Sequence, residues 1–420
     1  MDFYLPSRNL ETWRTSGGPL RVWMAGAPGV WVSPGGGEVQ LTATAQALRE
    51  QGLEVHLLST PSEATRWADV QRPNVLHLFG SHPTHWQWIR LARQVGAAVV
   101  LSPIGWFSLA SYWQGGKHWP TKLLHSGKFL LRAVCPWLPS WRGRLYRSVD
   151  MLLPNSLAEA RQLNRYFGAP PGRIHVVPNG ADPRFAQARA ELFVQKTGLQ
   201  GFVFCPGRLE PRKNQLGLLR AMRGCRAPIV LMGDPVPGQE AYAEMCRREA
   251  GPNVHFLPRL PYDDPLLASA YAACGCLALA SWFETPGLAA LEAAMQGASL
   301  VLPDVLSCRE YFGDWALYVR PYDLRAIRRA VEKALQMGRN PRLAQHVLGH
   351  YTWAHTAEAT RGAYARAMDF CLFHPGDDRL GEKQIPAGTC RQEEEPIYQI
   401  AEATPASPGW PFPKEPLHHP

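Results

Sequence analysis

No apolar run in these 420 residues approaches the roughly 20 residues that a bilayer-spanning helix needs. The opening Met1-Asp2-Phe3-Tyr4-Leu5-Pro6-Ser7-Arg8 lacks a basic stretch followed by an apolar core, so no secretory leader is expected. Cysteine is sparse, odd in number (nine) and scattered. Only Cys274-Gly275-Cys276 is close-spaced. It lies in an apolar, strand-like run with no second pair to complete a zinc site, so the thiols are read as free in a reducing cytosol and no metal is expected. Neither an aromatic RNP-type strand nor a Cys/His finger is present, so a nucleic-acid partner is not expected. The absence of a short internal repeat excludes a solenoid.

What is present is enough apolar material, 46% of the chain, for two buried cores at this length. The formal charge is +9. Residues 374–420 hold four Lys/Arg and eight Asp/Glu, so they carry −4 and residues 1–373 carry +13. Such a balance suits phosphate-bearing substrates or anionic membrane surfaces.

Beyond an irregular extension over 1–20, strand-like and helix-like segments alternate. Strands are expected at 21–27, 54–59, 74–80, 97–103, 150–155 and 174–179. The turn-rich Asn179-Gly180-Ala181-Asp182-Pro183 interrupts the alternation, which restarts with 202–206, 227–233, 253–258, 276–281, 299–304 and 316–320. Alternation of this kind predicts an α/β protein of two doubly wound, Rossmann-like domains facing across a cleft. The expected divisions are 21–185, 186–350 and a helical segment 351–373. The Pro-rich, acidic 374–420 is expected to be a disordered tail.

Three constellations carry chemistry. Ser33-Pro34-Gly35-Gly36-Gly37-Glu38 opens a helix just past the first strand, where glycines permit close backbone approach and unpaired N–H groups suit a phosphate; the Gly-x-Gly-x-x-Gly dinucleotide fingerprint is absent. Gly207-Arg208-Leu209-Glu210-Pro211-Arg212-Lys213-Asn214 follows the first strand of the second domain, and Arg208 with Lys213 would neutralise a diphosphate leaving group. Glu284 and Glu292 flank Thr285-Pro286-Gly287-Leu288-Ala289-Ala290-Leu291. Thr285 is expected to cap a helix starting at Pro286 and stopping at Gly297, which would spread the two carboxylates over roughly 12 Å at helical rise. Glu292 falls on the apolar stripe of Leu288, Leu291 and Met295, a contradiction of binary pattern that marks functional positions.

Two further features stand apart. The segment from Trp113 to Arg147 mixes seven Lys/Arg with aromatic residues, which suits either peripheral contact with an anionic membrane or the shaping of an acceptor cleft. His77 and Ser102 lie at strand ends and are acceptor-side candidates.

In this order, Gly36-Gly37-Glu38, Val177-Pro178-Asn179-Gly180-Ala181-Asp182, the 207–214 turn and the Glu284/Glu292 pair resemble the retaining, GT-B-fold glycosyltransferases of family 4. The closing Tyr351-Thr352-Trp353 resembles the start of that family's C-terminal helix, which crosses back to the first domain. The resemblance covers about residues 20–370. It implies metal-independent transfer of a hexose, with retained configuration, from a nucleoside-diphosphate sugar to a hydroxyl on a glycan, lipid-linked sugar or small glycoside, with no other cofactor. By this resemblance Arg208 and Lys213 hold the diphosphate, Glu284 contacts the transferred sugar, Glu292 binds the ribose, and backbone N–H groups of Gly287, Leu288 and Ala289 face the donor. It also implies a cytoplasmic protein, free or peripheral on the inner face of the membrane. The chain departs from the family where Ser102 stands near the position of a usual histidine. A catalytically inactive nucleotide-sugar-binding scaffold and a nucleotide-sugar epimerase are the alternatives.

Overall fold

The structure, a computed structural model, describes residues 19–27, 35–68, 71–109, 113, 119–135 and 138–373. The expected extension before residue 19, the tail 374–420, Ser33-Pro34 and parts of the 113–147 segment lie outside the described residues. Two compact units divide the chain. One runs to Pro178 and takes in the helix Trp353–Phe373; the other is Asn179–Thr352.

The first unit is a parallel sheet of β1 (Arg21–Gly26), β2 (Glu54–Leu57), β3 (Val75–Phe79), β4 (Ala98–Ser102) and β5 (Met151–Leu152), in the order β2-β1-β3-β4-β5. All five residues of β3 and of β4 are buried. Continuous burial is the signature of a parallel sheet covered on both faces, and it explains why these strands read as nearly continuous apolar runs, with His77 and Ser102 the polar exceptions. Two strand expectations are corrected. The 150–155 strand shrinks to Met151–Leu152, and 174–179 forms only an isolated bridge from Ile174 to Leu152. Prolines explain the shortening: Pro154 and Pro178 cannot donate to a ladder. Beneath β4, Asp150 is fully buried and takes a bidentate contact from Arg93, at 2.7 and 3.1 Å, and a third bond from the Val99 amide.

The helix Trp353–Phe373 packs on this unit through Tyr364, and Thr356 donates to the Pro178 carbonyl at 2.8 Å.

The second unit is a six-stranded parallel sheet of β6 (Val203–Pro206), β7 (Ile229–Met232), β8 (Val254–Leu257), β9 (Cys276–Ala278), β10 (Ser299–Pro303) and β11 (Ala316–Val319). Its order is β11-β10-β9-β6-β7-β8. Counted from β6, that is the 3-2-1-4-5-6 order of a doubly wound sheet, so the strand order reverses between β6 and β9. In open α/β sheets a ligand sits outside the carboxyl ends of the strands at this reversal. The loops leaving β6 and β9 are therefore where a site belongs, and they begin at Gly207 and Leu279. The core beneath is made of Phe202, Phe204, Leu277, Leu300 and Val301, all at most 1% exposed.

Candidate active site

The turn leaving β6 is built by backbone exceptions. Gly207 adopts φ 132° and Gly233, at the end of β7, φ 151°. A Cβ on Gly233 would lie 2.3 Å from the Gly207 carbonyl oxygen, so only glycine permits the approach. A short 3-10 turn, Pro211–Lys213, follows, with Asn214 left-handed at φ 54°. Asparagine tolerates this region because its side chain bonds locally. Here Nδ2 donates to the carbonyls of Ala280 and Pro321 at 2.9 and 2.8 Å, which fastens the turn to the loop after β9. A second tie runs from the Trp282 amide to the Arg212 carbonyl, at 2.9 Å.

These ties bring the two sequence motifs together. Lys213 Nζ lies 2.7 Å from Glu284 Oε1, and the Ser281 hydroxyl donates to the same oxygen at 2.7 Å. The Ser307 hydroxyl holds the Glu284 carbonyl at 2.6 Å. Glu284 is buried. Burial opposes its ionisation, but Lys213, Arg212 and the hydrogen bonds from Lys213 and Ser281 outweigh it and hold the carboxyl below the ordinary range. Arg208 and Arg212 both flank Glu210, at 3.5 and 2.6 Å, and Arg212 also lies over the Phe283 ring. Burial of Glu210 is likewise outweighed by Arg212, Arg208 and Lys213, so this carboxyl too is held low. The result is a cluster of three cations and two ionised carboxylates across the β6 and β9 loops.

Glu292 sits apart from that cluster. It is buried within the helix Leu288–Met295 and accepts a 2.5 Å hydrogen bond from the Tyr271 hydroxyl. Burial pushes its pKa up to about 7, against the opposing effects of Tyr271 and Arg184. The expected start of this helix is corrected. Thr285 is no cap and Pro286 no first residue; the helix begins at Leu288 with Gly287 at the cap position, φ 93°. A side chain at 287 would crowd Glu284 Oε2 at 3.3 Å, so the glycine lets the chain fold back over the carboxylate before turning helical. Glu284 therefore belongs to the preceding loop, and helical rise does not set its distance from Glu292. No side chain caps the helix start, and the first amides of a helix, here those of Leu288 and Ala289, have no partner within the helix. Gly297, at φ 64°, does end the helix.

In the first unit, Gly36 and Gly37 open the helix Gly36–Glu50, whose start likewise has no side-chain cap. His77 and Ser102, the acceptor-side candidates, are both buried and bonded to each other. His77 Nε2 is 2.9 Å from the Ser102 hydroxyl and Nδ1 is 2.8 Å from the Tyr364 hydroxyl. With both nitrogens occupied and 1% of the residue exposed, this imidazole has no free face for a substrate. Burial pushes its pKa down to about 3, so it stays neutral and joins β3, β4 and the last helix.

Sequence reasoning missed Ser281, Ser307, Asn214, Gly233 and Tyr271. Asn214, directly after a basic turn, carried a usable signal as a residue tolerant of left-handed backbone. Ser281 lies three residues before its partner Glu284, a local contact, whereas Ser307, Gly233 and Tyr271 meet theirs only through tertiary packing.

The chain matches the family model "Glycosyltransferase Family 4" over residues 34–185 and "Glycosyl transferases group 1" over residues 191–346. It belongs to the GT-B glycosyltransferases of family 4. Among relatives of this glycosyltransferase, D-inositol 3-phosphate glycosyltransferase of Gordonia bronchialis is 27% identical over 394 residues, covering 80% of this chain and 84% of the relative. The protein of the same name from Nocardia farcinica is 28% identical over 362 residues, covering 77% and 74%. Solved structures agree on the fold. A glycosyltransferase from Rickettsia africae superimposes with TM-score 0.63 at 10% identity, covering 83% of this chain and 99% of that one. The catalytic domain of starch synthase IV from Arabidopsis thaliana, bound to ADP and acarbose, gives 0.59 at 14% identity, covering 84% and 100%. Among the described residues, no helix is long and apolar enough to cross a membrane.

Proposed function

We propose that this glycosyltransferase moves a hexose from a nucleoside-diphosphate sugar to a hydroxyl acceptor with retention of configuration, using side-chain cations where other transferases use a metal. The observation that carries the reading is the Lys213–Glu284 contact at the strand-order reversal of the second unit. A diphosphate leaving group gathers negative charge as the glycosidic bond breaks. Lys213 and Arg208 supply fixed positive charge on the same turn, and such charge lowers the barrier most when it is already in place. The uncapped helix start at Leu288 and Ala289 adds amide donors of the same polarity.

Glu284, held ionised, accepts hydrogen bonds from hydroxyls of the transferred sugar. It also balances Lys213 until the donor's phosphate takes that role. Glu292, on the helix behind, offers its second oxygen to the ribose. With retention, the acceptor hydroxyl attacks from the face that the nucleotide leaves, and a departing phosphate oxygen takes its proton. No protein base is then required, which agrees with the inaccessibility of His77.

The test is turnover of UDP-, GDP- and ADP-hexoses, each with and without EDTA, in the native protein and in Lys213→Ala and Glu284→Gln. The relatives' name supplies D-inositol 3-phosphate as a first acceptor to try. One donor should turn over, unaffected by EDTA, and both variants should lose activity. Donor binding without turnover against a broad acceptor panel would favour a binding protein, and unchanged turnover in both variants would remove the mechanism.

A further inference from the structure

The helix Trp119–Val134 of the first unit turns its apolar face outward. At about 100° per residue, Trp119, Leu130, Leu123, Val134, Leu131 and Leu124 fall in that angular order within an arc of roughly 140°. All six are exposed, from 52% at Leu123 to 76% at Val134. The opposite, narrower face anchors the helix. Ser126 and Phe129 are buried, the Phe129 ring packs edge-on to Tyr166 at 5.0 Å, and the Arg132 guanidinium lies over Phe167 at 5.3 Å. A surface helix ordinarily does the reverse, with its apolar stripe on the core.

The charge along this stretch of the chain has one sign. Residues 70–149 contain ten Lys/Arg and not one Asp or Glu. Lys128 is exposed at the edge of the arc, and Arg144 and Arg147 are exposed on the next helix, Trp141–Ser148. Lys122 lies 5.7 Å over the Trp113 ring. A broad apolar face with cations at its edge has a matching counterpart in an anionic bilayer, whose headgroups meet the cations while its acyl boundary receives the leucines. A protein partner would have to supply both an apolar face and a one-sided acidic rim in register; a bilayer supplies them without register.

We infer that the helix Trp119–Val134 is a membrane-docking element that lies in the interface of an anionic bilayer with Trp119, Leu123, Leu124, Leu130, Leu131 and Val134 immersed. The docking is a property of the first unit and needs neither donor nor acceptor. Its success or failure is therefore separable from that of the transfer mechanism.

The experiment is sedimentation of the full chain with vesicles, without substrates. Vesicles of phosphatidylglycerol and phosphatidylcholine in equal parts should carry the protein down, and pure phosphatidylcholine should carry far less. Raising salt to about 1 M, where the screening length falls to about 3 Å, should release much of it. Leu124→Glu with Leu131→Glu should weaken binding to the anionic vesicles by about tenfold or more, since two immersed leucines are replaced by charges. Both side chains are exposed, so the unfolding midpoint of the double variant should match the native protein, which separates lost docking from lost folding. The inference is overturned if the native chain ignores anionic vesicles. It is equally overturned if the double variant binds them as well as the native chain, or if the substitutions abolish a concentration-dependent dimer instead.

Discussion

Lys213 and Glu284 stand 71 positions apart in the chain, yet their charged atoms meet at 2.7 Å. The contact joins two loops that leave neighbouring parallel strands, the first carrying Arg208, Arg212 and Lys213 around Glu210 and the second carrying Glu284. This geometry leads to a paired prediction. Lys213→Ala should lower kcat by ~10²–10³-fold, the scale for losing one preorganised charge in a transition state. It should also destabilise the fold by about 3–5 kcal/mol, because Glu284 is left buried without its cation. Glu284→Gln keeps the shape and removes the charge. It should cost about ten- to a hundredfold in kcat/KM for the donor, the worth of one charge-assisted hydrogen bond, with a smaller effect on stability. Steady-state kinetics and chemical denaturation of both variants check this.

Glu292 gives a pH signature. Its pKa rises from the ordinary 4.5 to about 7 through burial. Between those values the folded protein holds a proton that the unfolded chain has lost. This group's contribution to stability is therefore complete below about pH 4.5 and declines as pH rises through about 7. The span amounts to roughly 3 kcal/mol. Glu292→Gln, which cannot ionise, should flatten that part of the stability profile while leaving the Tyr271 hydroxyl an acceptor. Urea denaturation at several pH values between 4.5 and 8 measures it.

The His77–Tyr364 contact predicts a purely structural variant. Tyr364→Phe removes the partner of a buried ring nitrogen and should cost about 1–3 kcal/mol while leaving kcat near the native value. The His77 pKa is depressed to about 3 from 6.5, so this group's contribution works in the opposite direction to that of Glu292. It is present above about pH 6.5 and lost as pH falls toward 3, where the unfolded imidazole takes a proton that the buried one refuses. A large fall in kcat with unchanged stability in Tyr364→Phe would return His77 to the catalytic candidates.

Gly233→Ala tests the strand-end approach. The added carbon would meet the Gly207 carbonyl oxygen at 2.3 Å on a backbone with φ 151°. The backbone must shift, at a cost of about 1–3 kcal/mol, and the 207–213 turn shifts with it. Both the thermal midpoint and the donor KM should worsen, whereas Gly172→Ala, with open space around its Cβ position, should change neither.

The parallel sheets were legible because strands buried on both faces leave nearly continuous apolar runs, as in Ala98–Ser102 and Ser299–Pro303, each with one serine at an end. The charged motifs were legible because charge beside apolar strands breaks a pattern. Helix onset at Leu288 was not legible. Thr285-Pro286 carries every local preference for a start, and the chain instead spends Gly287 on folding back over Glu284, a tertiary demand. His77 misled for a related reason. Read as a strand-end residue, His77 looks available; it is in fact the middle residue of β3, and Tyr364, 287 residues further along the chain, bonds its ring. Local chemistry writes periodicity into a sequence, but which polar group receives a distant hydroxyl is decided only when the chain packs.

The backbone link from the Trp282 amide to the Arg212 carbonyl has a mechanical effect. Whatever pulls on the basic turn drags the acidic loop with it, so the fold itself sets the two loops' charges relative to one another. The cost of bringing those charges together falls on folding.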